Sequence, residues 1–309
     1  MDTNLTASGD AVFASLSQYA LLYVTGDDAR AFLHAQLSND VEHQPADTAR
    51  RAGYCSPKGR LLANFLVVPH EGGFLLQVSR DIAAPIAKRL VMYVMRSKVK
   101  VADTGEALLA FGAWGRGASA QLRAAGFAVP ESAMQVAHNP QGSVVCVGDA
   151  RYLVVGPEAV APALAAQFSK VAPEWWTLAE VRAGLPTVSQ QTQDEFVPQM
   201  ANFELVGGVD FKKGCYPGQE IVARTQYLGK LKRRMYRLQT DEGVPVAGLD
   251  IFAGEPQAIG KVVNAAPRPE GGYEFLAVVQ SSSVEDGSVL RLAKPDGATA
   301  RVVPLPYSA

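Results

Sequence analysis

Several absences narrow this chain before any motif is weighed. No apolar run approaches the ~20 residues of a membrane span, and the N-terminus lacks a basic stretch followed by an apolar one. Neither a membrane protein nor a secreted precursor is therefore expected. Only three cysteines occur, Cys55, Cys146 and Cys215, and they have no paired spacing. That argues against a disulfide framework and suits a reducing cytoplasm. Without C-x-x-C or H-x-x-x-H spacing there is no closed zinc site. No glycine-rich dinucleotide fingerprint or phosphate loop is present. Charge of one sign is missing as well: 29 Lys and Arg face 30 Asp and Glu, for a formal net charge of −1. Bulk attraction to nucleic acid or anionic membrane is excluded, although local basic patches are not.

The 309 residues, 48% of them hydrophobic and 19% charged, leave room for about two domains of ~150 residues with a sizeable core. Residues before Val12 are small and polar and read as a loose end. Residues 20–24 read as a strand, and Thr25-Gly26-Asp27-Asp28 as a turn into a helix with Ala29, Phe32, Leu33, Gln36 and Leu37 on one face. Residues 61–68 and 74–78 form two strands around His70-Glu71-Gly72-Gly73, a hairpin signal. A helix from about Asp81 follows, with Ile82, Ile86, Leu90 and Tyr93 on its stripe, and strands return at 99–102 and 108–111. A similar order recurs: a helix around Gln121, strands at 144–147 and 152–155, and a helix over 158–168. Two such units suggest interleaved ferredoxin-like α/β subdomains rather than a Rossmann sheet, although no sequence-level repeat is visible. From about Leu231, short β-rich runs (235–239, 259–265, 273–279, 289–292) alternate with Gly, Pro and Ser clusters. This predicts a small antiparallel β-barrel. The fold class is α+β, with one domain over 1–229, a barrel over 230–309 and a hinge at Gly229-Lys230.

The densest stretch is Lys213-Gly214-Cys215-Tyr216-Pro217-Gly218-Gln219-Glu220. Pro217 and Gly218 break what precedes, and a helix can begin at Gln219 with Ile221 and Val222 facing inward. Cys215 then lies just before a helix N-terminus, with Lys212 and Lys213 beside it, a setting that favours an ionised thiol. Gly214 and Gly218 allow close backbone approach, and Gln219 can orient a partner group. Glu220 caps local amides or pairs with Arg224 at i, i+4. The competing reading is a buried structural cysteine beside an ordinary Pro-Gly turn.

This stretch resembles the K-G-C-Y-x-G-Q-E signature of the YgfZ family, proteins similar in fold to the folate-dependent aminomethyltransferases (T-proteins) of glycine cleavage. The resemblance extends to Val24-Thr25-Gly26-Asp27-Asp28-Ala29, Ser56-Pro57-Lys58-Gly59, Ala183-Gly184-Leu185-Pro186 and Pro304-Leu305-Pro306-Tyr307-Ser308. It implies two interleaved α/β subdomains with a C-terminal barrel, and tetrahydrofolate or a derivative as ligand. Two aromatic folate contacts of the family fall on Tyr19 and Trp176. A carboxylate that often precedes Ala-Gly is Arg182 here, which cannot accept hydrogen bonds from a pterin. Glu180 or Glu204 can substitute, or Arg182 can meet a folate glutamate tail. Core packing is the ordinary alternative for both aromatics.

The aminomethyltransferases' essential Asp falls at Ala63 or Asn64, so glycine cleavage activity is not expected. The resemblance implies instead help to iron-sulfur enzymes, including those that modify tRNA, through Cys215 and Lys213. One thiolate cannot hold a permanent cluster, so any iron-sulfur species would be transient and would be exchanged with client or assembly proteins. Cys55 can approach the same face, and Cys146 reads as core. His34, His43, His70 and His138 occupy no catalytic frame, which disfavours a Cys-His hydrolase. A folate-dependent one-carbon transferase is the alternative. A tRNA-binding module is a further one, resting on Arg224, Tyr227, Lys230, Lys232, Arg233 and Arg234, although a solvated junction is the commoner meaning of such a cluster.

Overall fold

Residues 144–147 and 152–155 are apolar at nearly every position, a pattern that only a strand covered on both faces can bury. The computed structural model, which describes residues 10–229 and 231–308, shows how. The first part of the chain runs β1 (Val12–Ser15), β2 (Tyr19–Thr25), α1 (Ala29–Gln36), β3 (Arg50–Cys55), β4 (Leu61–His70), β5 (Gly73–Ser79), α2 (Arg80–Met92) and β6 (Lys100–Asp103). Then come β7 (Leu109–Trp114), α3 (Ala118–Ala124), β8 (Val136–Asn139), β9 (Gly142–Gly148), β10 (Arg151–Gly156), α4 (Val160–Ala165), β11 (Ser169–Lys170) and α5 (Glu174–Arg182). A 3-10 turn (Pro198–Ala201) and α6 (Gln219–Tyr227) lead to β12 (Arg233–Thr240), β13 (Asp250–Phe252), β14 (Gly260–Pro267) and β15 (Tyr273–Gln280). Finally α7 (Ser281–Glu285), β16 (Leu290–Leu292) and β17 (Thr299–Val303) close the described chain.

Two compact units result. One comprises the chain up to Ala52 with Phe65–Trp176; the other comprises Gly53–Asn64 with the chain from Thr177 onward. The sequence suggests a single boundary after residue 229, whereas β3 and β4 carry the chain out of the first unit and back.

The first unit holds two sheets of like topology. One is ordered β3-β4-β5-β2-β6 and the other β11-β1-β7-β10-β9-β8. Each reads strand, helix, three-stranded meander, helix, strand, which is a ferredoxin-like path with one added edge strand. The halves interleave because β1, first in the chain, inserts between β7 and β11 of the second sheet. Alternation on β10 assigns the faces: Leu153 and Val155 share a core with Leu21, Leu66 and Leu75 of the other sheet, while Tyr152 and Val154 pack under Leu122 and Leu164 of α3 and α4. Cys146 belongs to that second core, as read from sequence. Tyr93 departs from its expected stripe: it caps the C-terminus of α2, 43% exposed, with the Arg89 guanidinium over its ring.

In the second unit β12-β15-β14-β13-β16-β17 close into a barrel. Phe275, Ala277 and Val279 fill its interior, while Leu276 and Val278 point outward onto Val181, Phe196 and Leu305. A bulge between Val262 and Asn264 puts Val262 inside and Val263 outside. No helix among the described residues is long and apolar enough to cross a membrane.

Candidate functional site

α6 starts at Gln219, where the Pro-Gly break predicted it, with Gly218 as N-cap at φ +79°. No side chain caps this end, so the preceding loop satisfies itself. The Gln219 amide donates to the Tyr216 carbonyl (3.2 Å), and its side-chain Nε2 lies 3.4 Å from the Lys213 carbonyl. The Lys212 amide donates to Asp210 Oδ1 at 2.7 Å. Gln219 thus closes its own loop. Val222 anchors the helix, fully buried, and its carbonyl accepts from Gln199 Nε2 at 2.7 Å. Ile221 does not share that burial: it is 37% exposed, because the face beyond Val222 meets solvent. Nor does Glu220 pair with Arg224; both are exposed and no ion pair joins them.

A second loop supports the first. A β-carbon on Gly218 would stand 2.3 Å from the Ser56 carbonyl oxygen and 2.7 Å from Gly59 Cα. Gly59, at φ +71°, is closed in turn by Ile221, whose Cβ would lie 2.8 Å from a β-carbon there. Two glycines therefore let the Ser56–Gly59 turn and the Cys215 loop touch backbone to backbone. The turn is held from behind: Ser56 Oγ donates to Asp194 Oδ1 at 2.7 Å, and Arg60 donates to the Asp194 and Glu195 carbonyls. Asp194 itself sits at φ +60°. It was not nominated from sequence, and its Gln193-Asp194-Glu195 context carries no distinguishing pattern.

On this base the three cysteines part company. Cys215 is exposed, whereas Cys55 and Cys146 are buried. Burial pushes the Cys55 thiol up to about 12, so it stays protonated at neutral pH. Cys55 does lie near the motif, but buried, close enough to Tyr216 to act on its phenol. Burial raises the Tyr216 phenol well above its ordinary range, and the proximity of Cys55 adds to this. Lys213 is also buried, and its Nζ lies 5.0 Å from the Tyr216 ring centroid. This cation–π contact is worth about 0.5–2 kcal/mol. The ammonium read from sequence as a companion of the thiol is thus engaged by the adjacent ring. Among the described residues no group of three His, Cys, Asp or Glu can hold a metal ion.

The residues that the resemblance links to folate sit as follows. Trp176 is 2% exposed; its indole lies flat on Gly112, where a β-carbon would come 2.3 Å from Cε3, and meets Trp114 edge-to-face at 5.5 Å. Tyr19 is buried in the same core but borders a hollow of about 360 Å³ that Arg80 also lines. Arg80 spends its guanidinium on the Ser17 and Tyr19 carbonyls. Arg182 Nε donates to Glu274 Oε2 at 3.3 Å, a buried carboxylate that Arg237 approaches at 3.1 Å. Glu204 pairs with Arg234. As packed, Trp176 turns no open face to a pterin, whereas Arg182, the residue that can meet a folate glutamate tail, is 44% exposed and reaches Glu274 through Nε.

Asn64 has a separate task. Its Nδ2 donates to the Pro186 carbonyl and its Oδ1 accepts from the Val188 amide, both at 2.8 Å. Ala63 is fully buried. The neighbouring Gly184 accepts from the Tyr307 hydroxyl at 2.7 Å, and a β-carbon there would meet the Tyr307 ring at 2.6 Å. The Ala183-Gly184-Leu185-Pro186 stretch and the C-terminal Tyr307 are therefore one packed corner. Lys230, named in the basic segment and the expected hinge, lies outside the described residues. Arg234 is committed to Glu204, while Lys232, Arg233, Arg224 and Tyr227 are exposed.

The chain matches no protein-family model. It is 31% identical over 303 residues to the tRNA-modifying protein YgfZ of Escherichia coli O45:K1 (strain S88 / ExPEC), spanning 95% of this chain and 92% of that one. The protein of the same name from Shigella dysenteriae serotype 1 (strain Sd197) is 30% identical over the same shares. Among solved structures, the glycine cleavage system aminomethyltransferase T from Bartonella henselae matches with a TM-score of 0.79 at 18% identity, over 96% of this chain and 86% of that one. The fold is therefore aminomethyltransferase-like.

Proposed function

The chain belongs to the YgfZ family, and on that premise we propose that it assists assembly or repair of iron-sulfur clusters in client enzymes, tRNA-modifying ones among them, through the thiol of Cys215. The observation that carries this reading is exposure: Cys215 alone of the three cysteines reaches solvent, on a loop braced by Gly218 against the Ser56–Gly59 turn. A lone, accessible thiol suits a ligand that is handed on rather than kept, since a resident cluster usually needs four. The relatives' name, tRNA-modifying protein, supports the choice of clients.

Tetrahydrofolate or a derivative is the ligand implied by the resemblance. Stacking of its pterin on Trp176 would require that buried indole to move, while the exposed Arg182 suits its glutamate tail. The one-carbon transferase alternative draws no support from Asn64, whose amide is used on both sides by the backbone.

The test is genetic. In cells lacking their own copy, the wild-type chain and Cys146→Ala restore cluster-dependent enzyme activities, and Cys215→Ala does not, although it melts at the wild-type temperature. Full restoration by Cys215→Ala would overturn the reading.

A further inference from the structure

Between Phe211 and Arg234 the sequence carries seven cations and one anion, Glu220, in a chain whose totals are 29 and 30. Two of the cations are occupied: Lys213 by the Tyr216 ring and Arg234 by Glu204. Among the described residues no ion pair engages Lys212, Arg224, Lys232 or Arg233. A run of unpaired cations in a near-neutral protein creates a local positive field suited to a polyanion.

Exposed aromatic surface lies in the same stretch. Tyr227 is 68% exposed and Leu228 83% exposed at the end of α6. Tyr227 meets Phe211 at 6.0 Å between ring centroids and 69° between planes. Such an edge-to-face pair fixes the ring orientation while leaving a flat face open. Arg224 lies one turn before Tyr227 on the same side of α6, and Lys212 adjoins Phe211. An acidic protein would use the cations but has no need of open ring faces. A lipid surface calls for a helix with a broad free apolar face, and α6 has nine residues with Val222 turned into the core. Single-stranded nucleic acid uses both features, bases on rings and phosphates on cations.

We infer that this surface binds single-stranded RNA, with a base stacked on Tyr227 and phosphates met by Lys212 and Arg224. The inference deepens the function proposed above by naming a partner, and rests on it only for the choice of RNA over DNA. The surface does not require the Cys215 thiol.

The experiment is fluorescence anisotropy of a labelled, unstructured 12-nucleotide RNA against the full chain, from low to moderate salt. The wild type binds with a negative salt slope. Tyr227→Ala binds roughly tenfold more weakly with the slope unchanged, and Arg224→Gln flattens the slope by about 0.7. Cys215→Ala binds like the wild type. Absence of salt-dependent binding by the wild type, or equal binding by Tyr227→Ala, would overturn the inference. So would tighter binding of a duplex, or equally effective competition by polyglutamate, the latter pointing to an acidic protein partner. The two readings fail separately: full cluster activity in Cys215→Ala removes the thiol role alone, and unbound RNA removes this surface alone.

Discussion

Gly218 touches the Ser56 carbonyl so closely that a β-carbon at 218 would stand 2.3 Å from that oxygen, and its φ of +79° already disfavours any other residue. Gly218→Ala therefore forces the Cys215 loop off the Ser56–Gly59 turn. The expected cost is about 1–3 kcal/mol, seen as a melting temperature lower by several degrees. Changed mobility of Cys215 accompanies it, read as an altered alkylation rate. An unchanged melting curve would show that the two loops are not braced against each other.

The cysteines predict a simple thiol count. In the native protein one equivalent, Cys215, reacts rapidly with an aromatic disulfide reagent, and Cys55 and Cys146 react only on unfolding. Cys55 is doubly protected, by burial and by a thiol pushed up to about 12. Mass mapping of the first labelled site decides the matter; label on Cys55 first would contradict the packing.

Asn64→Asp tests whether this position is a lost catalytic residue or a clamp. The carboxylate can still accept from the Val188 amide but faces the Pro186 carbonyl with no proton to donate. A loss of about 1–3 kcal/mol at neutral pH is expected. The folded state then favours the protonated acid, so its pKa rises above the unfolded value. The variant is closest to wild type below the unfolded pKa and loses ground as pH climbs through the folded one. Denaturant melts at pH 4 and pH 7 check this; a variant as stable as wild type at pH 7 would speak for an adaptable site.

His70 sets an acid-side prediction. Burial lowers its pKa, nearby His138 lowers it further, and Glu71 opposes both. The folded protein thus binds fewer protons than the unfolded chain between the lowered value and the ordinary 6.5. Its contribution to stability is complete above 6.5 and is lost as pH falls through that window. His70→Asn should flatten the decline of melting temperature between about pH 6.5 and 5. An unaltered decline would assign it to other groups.

Much of this fold can be read from apolar spacing, and the failures have a common cause. The stripe Ala29, Phe32, Leu33 and the hairpin of β4 and β5 are long enough for their period to show. β11 has two residues, β13 three, and β1 and β8 four, too short to establish any period. Yet β1 is an interior strand of its sheet, fixed by β7 and β11, partners distant in sequence. At the site, the position of Cys215 before α6 follows from Pro217 and Gly218. The inward approach of Cys55 and the brace from Asp194 depend on chain crossings that no local pattern encodes.

The placing of β1 bears on how the protein can be made. Val12 sits beside Ser169 as well as Trp114, so β1 is synthesised well before either of its neighbours and must wait for them. Until then its ladder groups stay unpaired and available to other chains. A truncation entering 12–15 would leave β11 without its sheet, whereas an added N-terminal tag has only to leave Val12 free to dock.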